Sequence, residues 1–379
     1  MNAPAGFALP FPPAADERRA GGTLTVDLSA IAQNYALLRR RAAPAAVAGV
    51  VKADAYGLGV AEVAPALFRA GCRHFFVAHL EEALVLRPLL SEAATIAVLT
   101  GPLPGTEDDF AACDLVPVIN GPAQAESWAA CARRLGRRLD AILQVDSGMS
   151  RFGLSAEETR RLSDDAATLD ALKLQLVMSH LACADDPGHP PNAAQRDDFN
   201  RLRMLFPGVP ASLAASSGIF LGRQYGFDMV RPGAALYGIS PQPGANPMLP
   251  VVRLEGRVVQ VRTVDAGAGI GYGHTAHAGT TTRLATVAVG YADGYLRSAS
   301  NHGAAWFGEH RLPQVGRISM DSAVFDVSAL GPDELGPGAL VELIGPHQPV
   351  DAVAAEAGTI GYEILTSLGR RFHRRYVGG

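Results

Sequence analysis

The sequence predicts an α/β fold, a (β/α)8 TIM-like barrel followed by a C-terminal, mainly β domain. Two observations support this prediction. Eight apolar, β-branched runs recur between Val47 and Gly238, separated by helical patterns such as VAEVAPALFRA and EEALVLRPLL. After Pro241 the long helical patterns stop until about Val353, and short strand-like segments bounded by glycine, proline and aspartate replace them. Alternation of strands and helices favours a parallel sheet, whereas the second pattern is typical of an all-β domain.

The eight runs are the candidate barrel strands. Most are continuous apolar stretches without strict alternation, which indicates strands covered on both faces. Eight units within about 200 residues lie near the lower size limit of a closed barrel, and a doubly wound open sheet is the alternative. In order, the runs are VAGVVKA from Val47, HFFVAH from His74, TIAVLTG from Thr95, DLVPVIN from Asp114, AILQVDS from Ala141, LQLVMSHLA from Leu174, ASLAASSG from Ala211 and MVRPGAALYG from Met229.

The regions flanking the barrel complete the domain prediction. Residues 1–22 predict a flexible N-terminal tail, since MNAPAGFALPFPPAADERRAGG lacks the basic start and continuous apolar segment of a signal peptide. We assign residues 23–241 to the barrel and residues 242–379 to the β domain. Strands of the β domain are expected in VVRLEGRVVQVRTV, TRLATVAVG, SAVFDVSAL and ALVELIG, with a final helix-like segment, VDAVAAEAGTIGYEILTSLGRRF.

Composition excludes several functional classes. The net charge is −4 and no basic block stands out, which argues against a nucleic-acid partner. No apolar run reaches the roughly 18 residues that a membrane span requires. No two of the four cysteines form a C-x-x-C pair, so neither a metal site nor redox chemistry is indicated, and we expect reduced thiols in a cytoplasmic protein. They are Cys72, Cys113, Cys131 and Cys183.

Lys52 is the first candidate for chemistry. Only two of the 33 lysine and arginine residues are lysines, Lys52 and Lys173. A lysine amine can lose its proton and form a Schiff base with a carbonyl group, whereas a guanidinium stays protonated. Lys52 closes the first candidate strand, and barrels place their functional side chains at the C-terminal strand ends. It is therefore a candidate for covalent binding of an aldehyde, of which pyridoxal phosphate is the common biological example.

Other polar side chains fall at the same rim. Arg151 follows the fifth strand, His180 closes the sixth, Ser216 closes the seventh and Arg231 lies in the eighth. Each alone is consistent with a structural polar group near a loop, but five on one rim favour a site. The segments ASSG and RPGAALYG follow the seventh and eighth strands, where barrels often bind phosphate.

The stretch VVKADAYGLG, Val50 to Gly59, resembles the lysine motif of bacterial alanine racemases, which are pyridoxal phosphate enzymes of fold type III. The resemblance extends over nearly the whole chain from Thr23. In that family a barrel precedes a β domain, and the first strand, here within residues 23–28, pairs with the β domain. The other matching segments are VDLSAIAQNYALLR, VDSGMSRFG, MSHLACADDP, FDMVRPGAALYG, GIGYGHTAHA, VGYADGYLR, VGRISMDSAVFDV and GYEIL.

This resemblance implies a pyridoxal 5'-phosphate-dependent racemase that interconverts L- and D-alanine with two bases. Lys52 is the first base and Tyr272, from the partner subunit, the second. A free tyrosine has a pKa near 10, so it needs a neighbour to act as a base at neutral pH, and His180 occupies that position. Arg231 corresponds to the residue that meets the pyridine nitrogen. Because arginine resists giving up a proton, the ring stays a weak electron sink and transamination is disfavoured.

The resemblance also assigns binding roles and an assembly. The expected cofactor-binding residues are Lys52, Tyr56, Arg151, His180, Ser216, Arg231, Gly233, Ala234 and Tyr362. Substrate binding is expected from Arg151, Met320 and Asp321, and the entryway from Tyr291 and Arg297. Because Tyr272, Met320 and Asp321 are contributed by the partner subunit in the family, a homodimer with shared active sites is implied. The expected partners are a small amino-acid substrate and a second copy of the chain.

Two positions depart from the family pattern. Gln144 stands where the family commonly has a carbamylated lysine that supplies a negative charge to the cofactor arginine, so we predict that Arg151 is held by a neutral partner or an anion, without dependence on carbon dioxide. Ala215 replaces the usual asparagine before the phosphate serine, which removes hydrogen bonds typically worth about 1 kcal/mol each. Asp54 is a lesser variation within the lysine motif.

Three other activities remain as alternatives. Gln144 and Ala215 allow racemisation of serine or another amino acid, and a homologue that binds the cofactor with low turnover is a second alternative. Decarboxylases with a barrel and a β domain are a third, although they place a carboxylate where this chain has Arg231. The sequence leaves open a role in peptidoglycan precursor synthesis or in D-alanine breakdown.

Overall fold

The computed structural model describes residues 16–379, so most of the predicted tail, residues 1–15, lies outside the described residues. The described chain divides into two compact units. The barrel unit comprises Val26–Val252, Ile360–Thr366 and Tyr376–Gly379. The β unit comprises Arg253–Thr359, Ser367–Arg375 and the described residues up to Thr25. The barrel unit thus extends past residue 241 and takes two short segments from the C-terminal part of the chain, one of which contains Tyr362.

The strands up to the end of the barrel are β1 Gly22–Asp27, β2 Ala46–Val47, β3 Gly49–Val50, β4 His74–Val77, β5 Thr95–Val98, β6 Val116–Ile119, β7 Leu139–Gln144, β8 Leu172–Met178, β9 Ala211–Ser212 and β10 Met229–Val230. The later strands are β11 Val252–Val264, β12 Gly269–Ile270, β13 Ala276–His277, β14 Thr282–Val287, β15 Ala304–Phe307, β16 His310–Pro313, β17 Ala323–Asp326, β18 Leu340–Ile344 and β19 His373–Val377.

The helices are α1 Leu28–Ala42, α2 Lys52–Tyr56 (an irregular turn described below), α3 Val60–Arg69, α4 Leu80–Leu86, α5 Glu107–Ala112, α6 Pro122–Arg134, α7 Ala156–Asp164, α8 Ala166–Leu169, α9 Pro191–Arg203, α10 Val350–Ala357 and α11 Gly361–Ser367. Single 3-10 turns lie at Glu17–Arg19, Arg87–Leu89, Ser217–Phe220, Arg223–Tyr225, Ala234–Tyr237, Tyr272–His274, Tyr291–Asp293 and Arg297–Ala299.

The barrel sheet is closed. Strands β3 to β9 form a parallel sheet in chain order. The last strand, β10, pairs in parallel with β2, which is directly followed by β3. The N–H groups of Asp228 and Arg231 donate to the carbonyls of Ala211 and Ala214, and these bonds join β10 to the segment containing β9. The structure confirms the predicted barrel and excludes the open doubly wound sheet.

Burial explains why the strand sequences are apolar on both faces. β6 is buried throughout, and β4 and β5 are buried except at their first residue. The central strands are covered by side chains in the barrel interior and by helices outside, as expected for a parallel sheet. Phe110 and Trp128, on α5 and α6, meet edge to face at 6.0 Å and belong to this outer layer.

The β unit is built around one large sheet. Its main strand order is β16-β15-β18-β11-β1-β19, and β14 joins both β11 and β17. Leu284 of β14 forms a small buried cluster with Ile270 and Ala278. The helix-like segment predicted at the end of the chain is two helices, α10 and α11. The first ends at Gly358, which has φ 69°, a left-handed conformation that glycine adopts without a steric penalty.

Within residues 16–379, every helix is too short or too polar to cross a bilayer.

Candidate active site

The C-terminal ends of the barrel strands bring together four basic side chains, which we call the cationic cluster: Lys52, Arg151, His180 and Arg231. Lys52 follows β3, Arg151 lies in the loop after β7, His180 follows β8 and Arg231 follows β10. Burial first, and then the positive charges of Arg231, Arg151 and Lys52, lower the pKa of His180 to about 3. His180 is therefore neutral near pH 7, and the four predicted residues share one electropositive site.

Lys52 begins a left-handed turn. Ala53, Asp54, Ala55 and Tyr56 all have φ between 54° and 57°, although none of them is glycine. A left-handed helical conformation costs about 1–2 kcal/mol for each such residue. Strain of this kind persists only where the surrounding structure enforces it, and it is concentrated at functional sites.

Two carboxylates support the turn by accepting backbone hydrogen bonds. Asp54 Oδ1 accepts the N–H of Val60, the first residue of α3, at 2.7 Å. Glu82 Oε1, from α4, accepts the N–H of Ala53 at 2.5 Å. The turn closes on itself through the N–H of Gly57, which donates to the carbonyl of Ala53 at 2.7 Å. The residue after Lys52 is thus fixed by a side chain from another element.

The surroundings of the Lys52 amine lower its pKa. Burial lowers its pKa, the positive charge of Arg151 lowers it further, and the negative charge of Glu82 acts in the opposite direction. The first two effects favour the neutral amine, which is the nucleophilic form. The local environment therefore favours the chemistry predicted for this lysine.

Arg231 is a buried arginine without a carboxylate partner. Its guanidinium donates to the hydroxyl of Ser212 and, at 2.5 Å, to the carbonyl of Ser179. No ion pair reaches it from residues 16–379, and burial lowers its pKa to about 10. Hydrogen bonds to a hydroxyl and a carbonyl, and not a salt bridge, therefore hold Arg231 in the barrel. Within residues 16–379, the hydrogen-bond partners of Arg231 include no carboxylate that could supply a proton to a neighbouring ring.

A second group of residues forms what we call the anion cradle: Tyr56, Ser216, Gly233 and Ala234. The Ser216 hydroxyl oxygen accepts the N–H groups of Gly233 and Ala235, both at 3.1 Å. Both acceptor positions of this hydroxyl are occupied, so its proton is free to be donated to another group. The N–H of Gly233, predicted to bind phosphate, is already donated to Ser216.

Tyr56 defines the other wall of the cradle. A side-chain carbon at Gly233 would lie 2.2 Å from Tyr56 Oη, so only glycine allows the phenol to approach this backbone. The ring centroid of Tyr56 lies 4.8 Å from that of Tyr237 and 6.1 Å from that of Tyr362. Burial raises the pKa of Tyr56, which keeps its hydroxyl a hydrogen-bond donor. The cradle lies after the seventh and eighth barrel strands, where barrels bind phosphate groups.

Arg151 lies in a loop that Asp146 organises. Asp146 Oδ1 accepts the N–H groups of Gly148 and Met149, both at 2.9 Å, and the N–H of Ser150 at 3.2 Å. Arg151 is exposed, and Gln144 is buried. No hydrogen bond joins Gln144 to Arg151 within residues 16–379, so Gln144 is not the neutral partner of this arginine, and a bound anion stays a prediction.

The remaining predicted residues lie in the β unit. Tyr272 follows β12, Tyr291 and Arg297 begin 3-10 turns after β14, and Met320 and Asp321 precede β17. Tyr272, Met320 and Tyr291 are 69%, 53% and 41% exposed, values that are high for large apolar side chains. All three side chains are therefore accessible at the surface of the described chain.

Arg371 connects two loops of the β unit. Its guanidinium donates to both oxygens of Asp293, at 2.6 and 2.9 Å, and to Asp321 Oδ1 at 2.6 Å. The backbone also joins these loops, because Tyr291 N–H donates to Ser319 and Ala292 N–H donates to Met320, both at 3.0 Å. Asp321 is therefore neutralised by an arginine of its own unit.

Sequence reasoning missed three residues that shape the site: Glu82, Asp146 and Arg371. Glu82 lies three residues after His79, the N-cap of α4, in the spacing of a capping box. Serine or threonine usually occupies the first position of that motif, so histidine obscured it. The D-S-G sequence at Asp146 carried a turn signal. No local pattern marks Arg371, since its partners are 50 and 78 residues away.

The fold and the site define the class as a two-unit protein with a closed (β/α)8 barrel, a lysine-bearing cationic cluster at the strand ends and a mainly β unit. Residues 26–241 match the family described as alanine racemase, N-terminal domain, and residues 251–376 match alanine racemase, C-terminal domain. The chain therefore belongs to the alanine racemase family.

Individual relatives agree with this assignment. The chain is 55% identical over 364 residues to a protein of Mesorhizobium japonicum described as alanine racemase, catabolic, covering 96% of this chain and 95% of the relative. It is 50% identical over 385 residues to the alanine racemase of Brucella canis, covering 98% and 97%. The crystal structure of alanine racemase from Bartonella henselae with covalently bound pyridoxal phosphate has a TM-score of 0.91 at 42% identity, covering 94% of this chain and all of that chain.

Proposed function

We propose that this protein is a pyridoxal 5'-phosphate-dependent racemase that interconverts L- and D-alanine. The observation that carries the proposal is the Lys52 amine, which lies within an electropositive cluster that favours its neutral form. Support comes from relatives at 50–55% identity described as alanine racemases. A solved relative with covalently bound pyridoxal phosphate supports the cofactor.

The residues present fit this cofactor. The Ser216 hydroxyl, with both acceptor positions filled, has only a proton to offer, which suits a phosphate oxygen. Tyr56 supplies a second hydroxyl donor in the cradle, and Ala234 and Tyr362 are further proposed contacts. Lys52 would hold the aldehyde carbon, Arg231 the ring nitrogen and Arg151 the phenolic oxygen. When bound, pyridoxal phosphate withdraws electrons from the α carbon of an amino acid and so acidifies its α proton.

Lys52 is the proposed base on one face of the substrate. Its amine must be neutral to accept a proton, and burial together with the charge of Arg151 favours that state. Arg231 donates hydrogen bonds and has no carboxylate from which a proton could pass to its neighbour. It therefore provides a polar contact without protonating the ring, which disfavours transamination.

Tyr272 of the partner subunit is the proposed base on the opposite face. A phenol is a poor base at neutral pH unless a neighbour stabilises its ionised form or receives its proton. His180 is neutral near pH 7 and can receive a hydrogen bond from that phenol. A homodimer follows from this proposal, because each barrel needs a tyrosine from the β unit of the other chain.

Substrate binding is proposed at the same interface. The Arg151 guanidinium would attract the substrate carboxylate, with Met320 and Asp321 beside it and Tyr291 and Arg297 at the entryway. Because the Asp321 carboxylate is paired with Arg371, it does not repel the substrate as a free carboxylate would. The proposed contribution of this loop is therefore its backbone and the Met320 side chain.

Racemisation of another amino acid is the second candidate. Ala215 has a methyl group at the position where the family usually has the amide of an asparagine. Gln144 places an uncharged side chain at the end of β7. Both changes are near the proposed cofactor and could alter which side chain fits. A decarboxylase is disfavoured because Arg231 replaces the ring-protonating carboxylate.

The two lysines allow a matched test. The full chain, a Lys52→Ala variant and a Lys173→Ala variant would each be purified with pyridoxal phosphate and examined for its absorbance and for D/L interconversion of several amino acids. We expect the wild type and the Lys173 variant to bind cofactor and racemise alanine, and the Lys52 variant to do neither. Preference for serine would favour the second candidate, carbon dioxide release would indicate a decarboxylase, and bound cofactor without turnover would indicate a carrier.

A further inference from the structure

Glu82 has two sets of contacts that connect a barrel strand to the lysine turn. Its Oε2 accepts the N–H of Ala78 at 2.6 Å and the N–H of His79 at 3.1 Å, directly after β4. Its Oε1 accepts the N–H of Ala53, the residue that follows Lys52. Three backbone donors therefore hold one carboxylate, which leaves the side chain little rotational freedom.

The lysine turn needs such an external restraint. Four consecutive residues after Lys52 adopt the left-handed conformation, an arrangement that is unfavourable for residues other than glycine. The N–H of Ala53 lies at the start of this run, and Glu82 Oε1 is its acceptor. A change at Glu82 would release the backbone at the position that sets the direction of the Lys52 side chain.

We propose that Glu82 is a positioning residue that holds the Lys52 amine in its reactive orientation by fixing the backbone N–H of Ala53. This inference deepens the proposed function, because it concerns the lysine of the same site. Glu82 acts through the turn and has no direct role in proton transfer. Its negative charge also acts on the Lys52 amine, against the effect of the positive charge of Arg151, so its removal affects both the direction and the charge of Lys52.

A matched control exists in the same chain. Glu158 occupies the equivalent place in the capping box of α7, where its Oε2 accepts the N–H of Ser155 at 2.8 Å. Glu82→Gln and Glu158→Gln therefore both remove a capping carboxylate, but only the first touches the lysine turn. Thermal unfolding of both variants would report the cost of losing a helix cap.

The first measurement is the dissociation constant of the full chain for pyridoxal phosphate. We expect Glu82→Gln to weaken binding about tenfold, which corresponds to about 1.4 kcal/mol, and Glu158→Gln to leave it unchanged. Equal affinities in the two variants would overturn the proposal. If Glu82→Gln does not fold, Glu82→Asp replaces it, since aspartate keeps the charge but shortens the reach, and an affinity equal to that of the wild type would again overturn the proposal.

The second measurement does not depend on the cofactor. The full chain, prepared without pyridoxal phosphate, would be labelled with acetic anhydride across a range of pH, and mass spectrometry would follow Lys52 with Lys173 as internal reference. Loss of the Glu82 charge should move the midpoint of Lys52 labelling to lower pH and leave Lys173 unchanged, whereas Glu158→Gln should move neither. An unmoved midpoint would contradict the proposal. A wild type that binds no cofactor would contradict the proposed function, while this labelling would still decide the role of Glu82.

Discussion

Arg231 and His180 are residues whose chemical states depend on burial. Arg231 keeps its charge inside the barrel because a hydroxyl and a carbonyl accept its hydrogen bonds. His180 is uncharged near pH 7, because burial and three neighbouring cations make its protonated form unfavourable. A neutral histidine and a charged arginine side by side give the site one hydrogen-bond acceptor among several donors.

The first prediction concerns His180 and pH. Its pKa falls from 6.5 to about 3 in the folded chain, so between these values the unfolded chain binds a proton that the native chain does not. Stability must therefore fall as the pH is lowered from about 6.5 toward 3. We expect urea unfolding midpoints to fall less between pH 7 and pH 5 in a His180→Gln variant than in the wild type.

The control for this prediction is His310→Gln, which removes an exposed histidine of β16. The urea unfolding midpoint of this variant should change with pH as that of the wild type does. An identical pH dependence in the His180 variant and the wild type would show that burial of His180 does not suppress its protonation.

A second prediction at this scale concerns Gln144. An uncharged amide cannot be carbamylated, and it makes no hydrogen bond to Arg151 in the described chain. We therefore expect racemase activity to be unchanged when bicarbonate is added to a carbonate-free assay. A clear activation by bicarbonate would contradict this expectation.

Hydrogen bonds between elements of the barrel unit hold the strained turn α2 in one conformation. The left-handed turn α2 is joined to α3 through Asp54, to α4 through Glu82 and to itself through Gly57. Each of these bonds satisfies a backbone donor that would otherwise be unpaired at the end of a strand or helix. The turn is thus a product of its neighbours and not of its own sequence preference.

The third prediction concerns the hydrogen bond between Asp54 and the first residue of α3. Asp54→Ala removes the acceptor for Val60 N–H and should lower the free energy of unfolding by about 1 kcal/mol, the typical net contribution of one hydrogen bond. Asp54→Asn keeps an oxygen at the same place and should be close to wild type. Urea denaturation of both variants would test this, and equal losses would indicate that the charge of Asp54 matters more than its hydrogen bond.

The fourth prediction concerns Arg371 in the β unit. Arg371→Gln frees Asp321 and leaves Asp293 without its guanidinium, so the loop with Met320 should lose its fixed position. If that loop binds substrate, the KM for alanine should rise about tenfold with a smaller change in kcat, since ground-state binding is what is lost. Arg375→Gln is the control, because Arg375 donates only to Thr25 among its described side-chain contacts. A fall in kcat at constant KM would contradict the proposed role.

At the scale of the whole molecule, the proposed function divides its two bases between the two units. The proposed bases belong to different units, with Lys52 in the barrel unit and Tyr272 in the β unit. In a symmetric dimer with shared sites, each barrel would use the tyrosine of the other chain. Oligomers with two-fold symmetry contain two equivalent sites, so defects in the two chains can be combined in a predictable way.

The fifth prediction uses this symmetry. Lys52→Ala and Tyr272→Ala chains, each inactive alone, would be co-expressed with different tags. A mixed dimer then has one site with both defects and one intact site, so random mixing should restore about one quarter of the wild-type activity. Activity in the mixture, with none in either parent, would support sharing. No recovery in a purified mixed dimer would place both bases of a site in the same chain.

The sequence by itself determined the barrel, the β domain and most of the proposed site. Continuous apolar runs, a lysine at a strand end in a chain with only two lysines, and short motifs are signals that can be recognised in neighbouring residues. Only the tertiary structure decided that β10 closes the ring onto β2, that Arg231 lacks a carboxylate, that Gln144 does not reach Arg151, and that Glu82 and Arg371 fix the loops around the site. These features depend on burial and on partners distant in the chain, and such contacts exist only once the strands and loops have come together.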